Sequence, residues 1–383
     1  PISSIIIPKE MTSFDPTALQ GCPLSSIIVE DGNTVYDSRN GCNAIIETAT
    51  NKLIFGCKTT QIPSSVTTIG SSAFRGCKGL KSILIPSTIS AIEQWAFLEC
   101  NDLEKVITPN LEKWCVIDFE DAGANPLEEA HYLYVGDNSK IDDLVIPSSL
   151  IYIRRNSFRG IKLNSLTLHE NCVGIQSGAF RGSEINRVSI LGTLSYVERY
   201  AFSYSIIGDI NLPLKDYGPN YSTMIGAGAF LETKIGNMII PYGEGDITCD
   251  ANTYYPPFLD AEINKLTIGR YPNLTSGWSS GYRTPFKRTQ IKELYFDPKV
   301  ISFKAFAETS IDKIYLPEGT EIVDIDWYDS RSSTSYIYIP EGAQTIKKIS
   351  GFKFKTTGDN VSTIVIPESA TKIESNAFSG CTF

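Results

Sequence analysis

Histidines and adjacent carboxylates are the side chains in this sequence that could support acid–base catalysis, and neither group is arranged for it. The sequence contains two histidines, His131 and His169, which lie more than one unit apart in the repeat described below. An acid–base pair or a histidine metal centre would need them close together. Paired acids at positions 120–121 and 142–143 could in principle hydrolyse a glycosidic bond, but adjacent acids on a repeat protein usually form a solvated face. We therefore predict that the chain is not an enzyme.

Cysteines are numerous enough to suggest a disulfide framework or a metal site. Of the nine, Cys77, Cys100 and Cys381 each stand three residues after the phenylalanine of an Ala-Phe pair. There is no Cys-x-x-Cys pair, and no glycine-rich phosphate loop. Because the cysteines recur at one place in a repeat, they predict a buried column of free thiols that packs as small apolar residues do. No metal ion and no cofactor are expected.

Tyrosines provide a more specific candidate, because the side chains of a strand alternate between the two faces of its sheet. The residue between the two inward aliphatic residues is Tyr295, Tyr315 and Tyr338 in three successive predicted strands. We expect these rings to lie side by side on an exposed face, as a platform for a sugar ring or a protein partner. Tyrosine also suits a pleated surface for structural reasons alone, and this alternative stays open. The other candidate ligand-binding residues on this face are Tyr336, Glu293, Lys313 and Asp297.

An aromatic stretch within a predicted insertion is the secondary candidate site. It contains Tyr254, Tyr255 and Phe258, and Trp278 follows later in the same insertion. An aromatic loop beside the edge of a sheet could form the wall of a pocket. The alternative is that these residues only pack the loop.

A repeated unit positions all of these residues. Each unit has an Ile-Pro step, spaced aliphatic residues, an Ala-Phe pair, often Gly-Cys, and a leucine. The clearest copies are IPSSVTTIGSSAFRGCKGLKSIL (Ile62 to Leu84) and IPSTISAIEQWAFLECNDLEKVI (Ile85 to Ile107). A period of about two dozen residues is typical of a solenoid, whose units bury their apolar faces by stacking on one another. Alternating aliphatic residues predict a short strand in each unit, and proline ends that strand because it lacks an N–H group.

The fold class predicted from this pattern is a β-rich α/β solenoid. We expect residues 1–383 to form a single domain of about fifteen turns, each with one strand. One of these predicted strands is Thr60–Ile62. The stacked strands would form a curved parallel sheet, with irregular or short helical segments on the opposite, convex side. Insertions are predicted near residues 34–59, 111–140 and 242–288. In the second of these, Asn125-Pro126 followed by LEEA predicts a short helix.

Composition limits the classes of partner. A net charge of −9 and a pI near 5.0 argue against a nucleic-acid-binding groove, which needs a basic stripe. The longest apolar runs, such as Ile5-Ile6-Ile7, are far too short to span a bilayer, and no signal peptide is visible. Because the chain begins and ends within repeats, apolar end faces would need a cover, so oligomers formed through the ends of the solenoid are one expectation.

The repeats resemble a known family. The pattern Ile-Pro-x-x-Val-x-x-Ile-Gly-x-x-Ala-Phe-x-Gly-Cys-x-x-Leu at Ile62 to Leu80 is similar to BspA-like leucine-rich repeats of surface proteins from host-associated bacteria. The resemblance extends to GNTVYDSRNGCNAIIETATNKLIFGCK (Gly32 to Lys58) and LEKWCVIDFEDAGANPLEEAHYLYVGD (Leu111 to Asp137), which look like modules inserted recurrently in that family. It implies a right-handed leucine-rich repeat solenoid, a cell-surface or secreted location, adhesion as the activity, and no catalysis. Near Trp327 the Ala-Phe pair is missing.

Together these observations predict an extracellular binding or adhesion module. It would engage a host extracellular protein, a bacterial surface protein or a glycan through the sheet face. The alternative is a spacer or scaffold that projects another part of a larger surface protein. Serine and threonine at outward positions in the first two hundred residues favour that alternative.

Overall fold

The computed structural model describes residues 2–136, 139–216, 223–243, 247–249, 255–269, 272–274, 284–297, 304–327, 332–354 and 363–382. The chain forms a parallel β-solenoid of about 14 turns with very little helix, which confirms the predicted fold class. The hand of the winding stays a prediction. The chain divides into two compact units, Pro1–Asn164 with Gln176–Glu184 and Ser165–Ile175 with Ile185–Phe383. The prediction of a single domain therefore also stays a prediction.

Strands of the first unit lie on two sides of the turns. The main sheet is formed by the strands at the Ile-Pro segments, and the opposite side carries strands of two or three residues as well as the inserted hairpins. The strands are β1 (Ser4–Ile7), β2 (Ser26–Val29), β3 (Tyr36–Asp37), β4 (Ala44–Glu47), β5 (Lys52–Gly56), β6 (Thr68–Ile69), β7 (Ser82–Leu84), β8 (Ala91–Ile92), β9 (Lys105–Thr108), β10 (Asp118–Phe119), β11 (Leu133–Val135), β12 (Ser139–Lys140), β13 (Asp143–Val145) and β14 (Tyr152–Ile153). On the main side β1 pairs with β2, and a further sheet has the order β12-β11-β9-β7. On the opposite side the order is β10-β8-β6-β5-β4-β3.

The first insertion folds as two antiparallel hairpins, β3 with β4 and β4 with β5. Its presence explains why the predicted strand at Thr60–Ile62 is wrong. The amide of Gln61 donates to the carbonyl of Cys42 at 3.0 Å, and Thr60 Oγ1 donates to the carbonyl of Asn43 at 2.6 Å. The insertion therefore takes the hydrogen bonds that a neighbouring strand would have made.

The second insertion contains both α-helices of the described residues, α1 (Leu111–Cys115) and α2 (Leu127–Ala130). The predicted short helix after Pro126 is present as α2, and Asn125 Oδ1 accepts a hydrogen bond from the amide of Leu127 at 2.9 Å. The same segment supplies β11, which pairs in parallel with β9 and so extends the main sheet. Helical turns of the 3-10 type lie at Pro16–Leu19, Arg39–Gly41, Ala122–Ala124 and Lys304–Phe306. Within the described ranges, every helix is too short to cross a membrane.

Strands of the second unit repeat the two-sided arrangement. They are β15 (Lys162–Leu168), β16 (Gly174–Ile175), β17 (Glu184–Ile190), β18 (Tyr196–Val197), β19 (Ile206–Asn211), β20 (Thr223–Ile225), β21 (Lys234–Ile240), β22 (Ile247–Cys249), β23 (Glu262–Ile268), β24 (Pro272–Leu274), β25 (Gln290–Phe296), β26 (Ser310–Tyr315), β27 (Ile322–Asp326), β28 (Ser333–Tyr338), β29 (Thr345–Ser350), β30 (Thr363–Val365) and β31 (Lys372–Ile373). The main sheet has the order β15-β17-β19-β21-β23-β25-β26-β28-β30. The opposite side has β16-β18-β20-β22-β24 and, later, β27-β29-β31. This side therefore contains more strand than the irregular or helical segments expected from the sequence.

Phenylalanines at the position of the Ala-Phe pairs form the centre of the core, although proline precedes Phe258 and Phe286. In the second unit Phe202, Phe230, Phe258, Phe286 and Phe306 are all buried and stack in sequence, with ring centroids 4.5–5.4 Å apart. We call this set the phenylalanine spine. The spine fixes the spacing of successive turns and therefore the register of the strands above it.

Candidate functional site

The rings of both histidines form hydrogen bonds with backbone groups. The Nδ1 atom of His131 lies 2.8 Å from the carbonyl oxygen of Gly160, to which it donates. In His169 the Nδ1 atom accepts a hydrogen bond from the amide of Asn171 at 3.1 Å. Each ring thus stabilises the local backbone.

The adjacent acidic side chains accept hydrogen bonds from backbone amides or form an ion pair with a neighbouring lysine. Glu120 Oε2 accepts from the amide of Gln94 at 3.0 Å, and the Oδ1 atom of Asp121 caps the following 3-10 turn. Asp142 forms an ion pair with Lys140 at 2.6 Å. Within the described residues no group of three or more His, Cys, Asp or Glu side chains could hold a metal ion.

The cysteine position of the repeat has a structural role beyond packing. Cys100 Sγ donates to the carbonyl of Phe74, in the preceding turn, at 3.0 Å. In the second unit a hydroxyl does the same, as Thr233 Oγ1 donates to the carbonyl of Phe202 at 2.8 Å. Burial raises the pKa of the Cys77, Cys100 and Cys115 thiols to about 12, so these groups are poor nucleophiles at neutral pH.

The three outward tyrosines come together in the structure as the sequence predicts. Tyr295 of β25 lies opposite Tyr315 of β26, which lies opposite Tyr338 of β28. The ring centroids of Tyr295 and Tyr315 are 4.5 Å apart with planes 2° from parallel, and those of Tyr315 and Tyr338 are 5.7 Å apart and tilted by 45°. We call these three residues the tyrosine ladder.

Neighbouring side chains cover the ring faces of the ladder. Tyr315 covers one face of Tyr295, and the Nζ atom of Lys265, from the strand on the other side, lies 4.4 Å from the centroid of the Tyr295 ring. Tyr315 is itself enclosed between Tyr295 and Tyr338. At Tyr295 and Tyr315 the ladder therefore offers ring edges and hydroxyl groups instead of the open ring faces of a platform.

Charged residues beside the ladder occupy an adjacent row of the sheet. Lys265, Glu293, Lys313 and Tyr336 are register neighbours on successive strands. Glu293 Oε1 lies 3.8 Å from Lys313 Nζ, and the hydroxyl of Tyr295 donates to Glu293 Oε2 at 3.1 Å. Partial burial and this hydrogen bond raise the pKa of Tyr295 to about 12.

The remaining candidate residues occupy different environments. Asp297 follows β25, is half-buried, and donates its amide to the carbonyl of Ile268 at 2.8 Å. Phe258, from the secondary candidate site, is completely buried in the phenylalanine spine, so it is a core residue and not part of a pocket wall. Tyr255 is exposed and contacts Tyr200 edge to face at 6.1 Å. Tyr254 and Trp278 lie outside the described residues.

A shallow trough next to the ladder was not foreseen from the sequence. It has a volume of about 470 Å³ and lies on the same face of the main sheet. Polar side chains of four strands line it, and the exposed side chain of Ile239 also borders it; the polar residues are Arg187, Asp209, Asn211, Asn237, Lys265 and Thr267, with Ser189. We call it the polar trough. Each of these residues occupies an ordinary outward position, so only their alignment across strands reveals the trough.

Comparison with known proteins agrees with the repeat pattern. The sequence matches the family described as BspA type leucine-rich repeat region, in six copies, over residues 51–114, 132–254 and 282–383. A crystal structure of a leucine-rich repeat protein from Bacteroides ovatus is similar over 90% of each chain, with 16% sequence identity and a TM-score of 0.35. No curated protein sequence matches this chain.

Proposed function

The chain belongs to the BspA-type leucine-rich repeat family, and from this premise we propose that it is a protein-binding module whose contact surface is the tyrosine ladder. Proteins of this family are typically surface-associated, and leucine-rich repeat proteins are typically non-enzymatic scaffolds for protein interaction. In our proposal this chain acts outside the cell, where it adheres to a host extracellular protein or to a bacterial surface protein.

The observation that carries the proposal is the alignment of three tyrosines on the outward face of adjacent strands. Tyrosine contributes a large apolar area, a hydroxyl group and few rotatable bonds, so it is enriched among the residues that dominate protein interfaces. Here the rings are held by one another and by Lys265. Little side-chain entropy is therefore lost when a partner binds.

The covered ring faces favour a protein over a sugar as the partner. A sugar ring packs on the open face of an aromatic ring, and in Tyr295 and Tyr315 both faces are occupied. Ring edges and hydroxyl groups suit the mixed apolar and hydrogen-bonding surface of a protein partner. The mixed charges of Glu293 and Lys313 beside the ladder would form the polar rim of such an interface.

The experiment is a binding screen of the purified chain against arrays of host-matrix proteins, bacterial surface proteins and glycans. The parent is compared with a triple variant, Y295S/Y315S/Y338S. The matched control is Y134S: Tyr134 is an outward tyrosine of β11 in the first unit, with Lys105 Nζ 4.3 Å from its ring centroid. Circular dichroism verifies that each variant is folded.

We expect the parent and Y134S to bind a protein on the array and the triple variant to lose that binding. Equal binding by the triple variant would refute the ladder as the contact surface. Binding to glycans alone would refute the choice of a protein partner. If no member of the arrays binds the parent, the spacer function becomes the better account.

A further inference from the structure

The polar trough is continuous with the tyrosine ladder, and the inference drawn from it rests on the function proposed for the ladder. Lys265 and Thr267 line the trough. Thr267 is also the register neighbour of Tyr295, and the Nζ atom of Lys265 lies 4.4 Å from the centroid of that ring. A partner that covers the ladder and continues across the strands towards β17 enters the trough.

Two cations stand at opposite ends of the trough. Arg187 of β17 and Lys265 of β23 are both exposed. In the described part of the chain, neither side chain has a carboxylate within ion-pair distance, and Lys265 Nζ lies over the Tyr295 ring. The carboxylate between them, Asp209, accepts a hydrogen bond from Asn237 Nδ2 at 2.7 Å. The ends of the trough are therefore suited to anionic groups.

The register of the strands sets the spacing of those anionic groups. Asp209, Asn237 and Lys265 are register neighbours on β19, β21 and β23, and β17 is the next strand beyond β19. Three strand intervals of about 4.8 Å separate the backbones of Arg187 and Lys265 by about 14 Å. An extended peptide advances by about 3.4 Å per residue, so two carboxylates would match the cations at a separation of about four residues.

The middle of the trough suits a peptide backbone. Asn211 and Asn237 each carry an amide group that both donates and accepts hydrogen bonds, and both side chains are exposed between the two cations. A volume of about 470 Å³ holds a few residues of an extended chain. We infer that the partner of the ladder presents an extended segment with two Asp or Glu residues about four positions apart, and that this segment lies across the strands in the polar trough.

The test uses a displayed library of random twelve-residue peptides, selected on the immobilised chain. The library is also selected on R187Q/K265Q, on the ladder variant Y295S/Y315S/Y338S and on the control K234Q. Lys234 is an exposed lysine of β21 in the same sheet, 3.6 Å from Glu262, and does not line the trough. One enriched peptide and its Gln-substituted form are then synthesised with a fluorescent label, and their Kd values are measured by anisotropy at two salt concentrations.

The parent and K234Q should enrich peptides with paired acids three to five positions apart, and R187Q/K265Q should not. Substitution of both acids by Gln, or use of R187Q/K265Q, should weaken binding about tenfold or more at low salt, with a smaller effect at high salt. Peptides enriched without paired acids, but lost in the ladder variant, would overturn the trough inference and leave the proposed function standing. Acidic peptides that the ladder variant binds as well as the parent would support the peptide site in the trough and overturn the proposed function of the ladder. Enrichment of no peptide, together with binding of heparin that depends on Arg187, would overturn the assignment of a peptide ligand.

Discussion

Replacement of Phe258 by alanine tests the claim that stacked phenylalanines hold the second unit together. Phe258 is 0% exposed, with ring centroids 4.9 Å from Phe230 and 4.5 Å from Phe286 and planes within 5° and 16° of parallel. A buried Phe→Ala change costs about 3–5 kcal/mol, and each aromatic contact contributes about 0.5–1.5 kcal/mol beyond the area buried. Because Phe258 has two such neighbours, we expect a loss near the upper end of the range, about 5 kcal/mol.

The loss should be measured in two ways. Urea denaturation followed by circular dichroism gives the free energy of unfolding of the parent and of F258A. Hydrogen exchange followed by mass spectrometry locates the effect along the chain. Each turn of a solenoid contacts mainly its neighbours, so protection should fall first in β21, β23 and β25, the main-sheet strands nearest to Phe258.

The matched control is Phe378→Ala. Phe378 occupies the equivalent position of its turn, where it follows Ala377 and is only half-buried, so its loss leaves a smaller cavity and should cost less than half as much as F258A. If F258A unfolds within about 1 kcal/mol of the parent, or if F378A costs as much as F258A, the stacked spine is not what stabilises these turns.

Three further outcomes follow from single features of the structure. Burial raises the pKa of the Cys100 thiol to about 12, so this thiol should not react with a thiol reagent until the chain is unfolded. Because this pKa is above the unfolded value of 9.0, the contribution of the buried thiol to stability should be lost as pH rises from about 9 to 12. A Gly56→Ala change places Cβ 2.1 Å from Phe74 Cε1, and should lower the free energy of unfolding by about 2 kcal/mol or more, whereas a tolerated change would refute the packing described. The substitution E293Q should lower the pKa of Tyr295, because it removes the charged acceptor of its hydroxyl proton; ultraviolet difference titration between pH 9 and 13 checks this, and an unchanged ionisation curve would contradict it.

The repeat allowed much of the fold to be predicted, because proline, Ala-Phe and alternating aliphatic residues mark each turn. The prediction of a strand at Thr60–Ile62 was wrong because the preceding insertion pairs with this segment, through hydrogen bonds to the carbonyl groups of Cys42 and Asn43. β11 was missed for a related reason: it lies within a segment that departs from the period, yet pairs with β9. Such pairings depend on long-range contacts, which a local pattern does not contain.

The candidate site was predictable as a set of positions but not as a surface. Alternation alone placed Tyr295, Tyr315 and Tyr338 on one face. The orientation of their rings depends on side-chain rotamers and on Lys265 from a neighbouring strand, so the covered ring faces were not visible in the sequence. Phe258 was misassigned to a pocket because an aromatic residue in an irregular stretch is equally suited to a core.

The most direct test of the central claim is the Kd of the protein partner identified on the arrays, measured for the parent, for Y295S/Y315S/Y338S and for Y134S. Residues that dominate an interface typically cost 2 kcal/mol or more when truncated. We therefore expect the triple variant to bind at least about thirtyfold more weakly, with Y134S within about twofold of the parent. Equal Kd values for the parent and the folded triple variant would contradict the account.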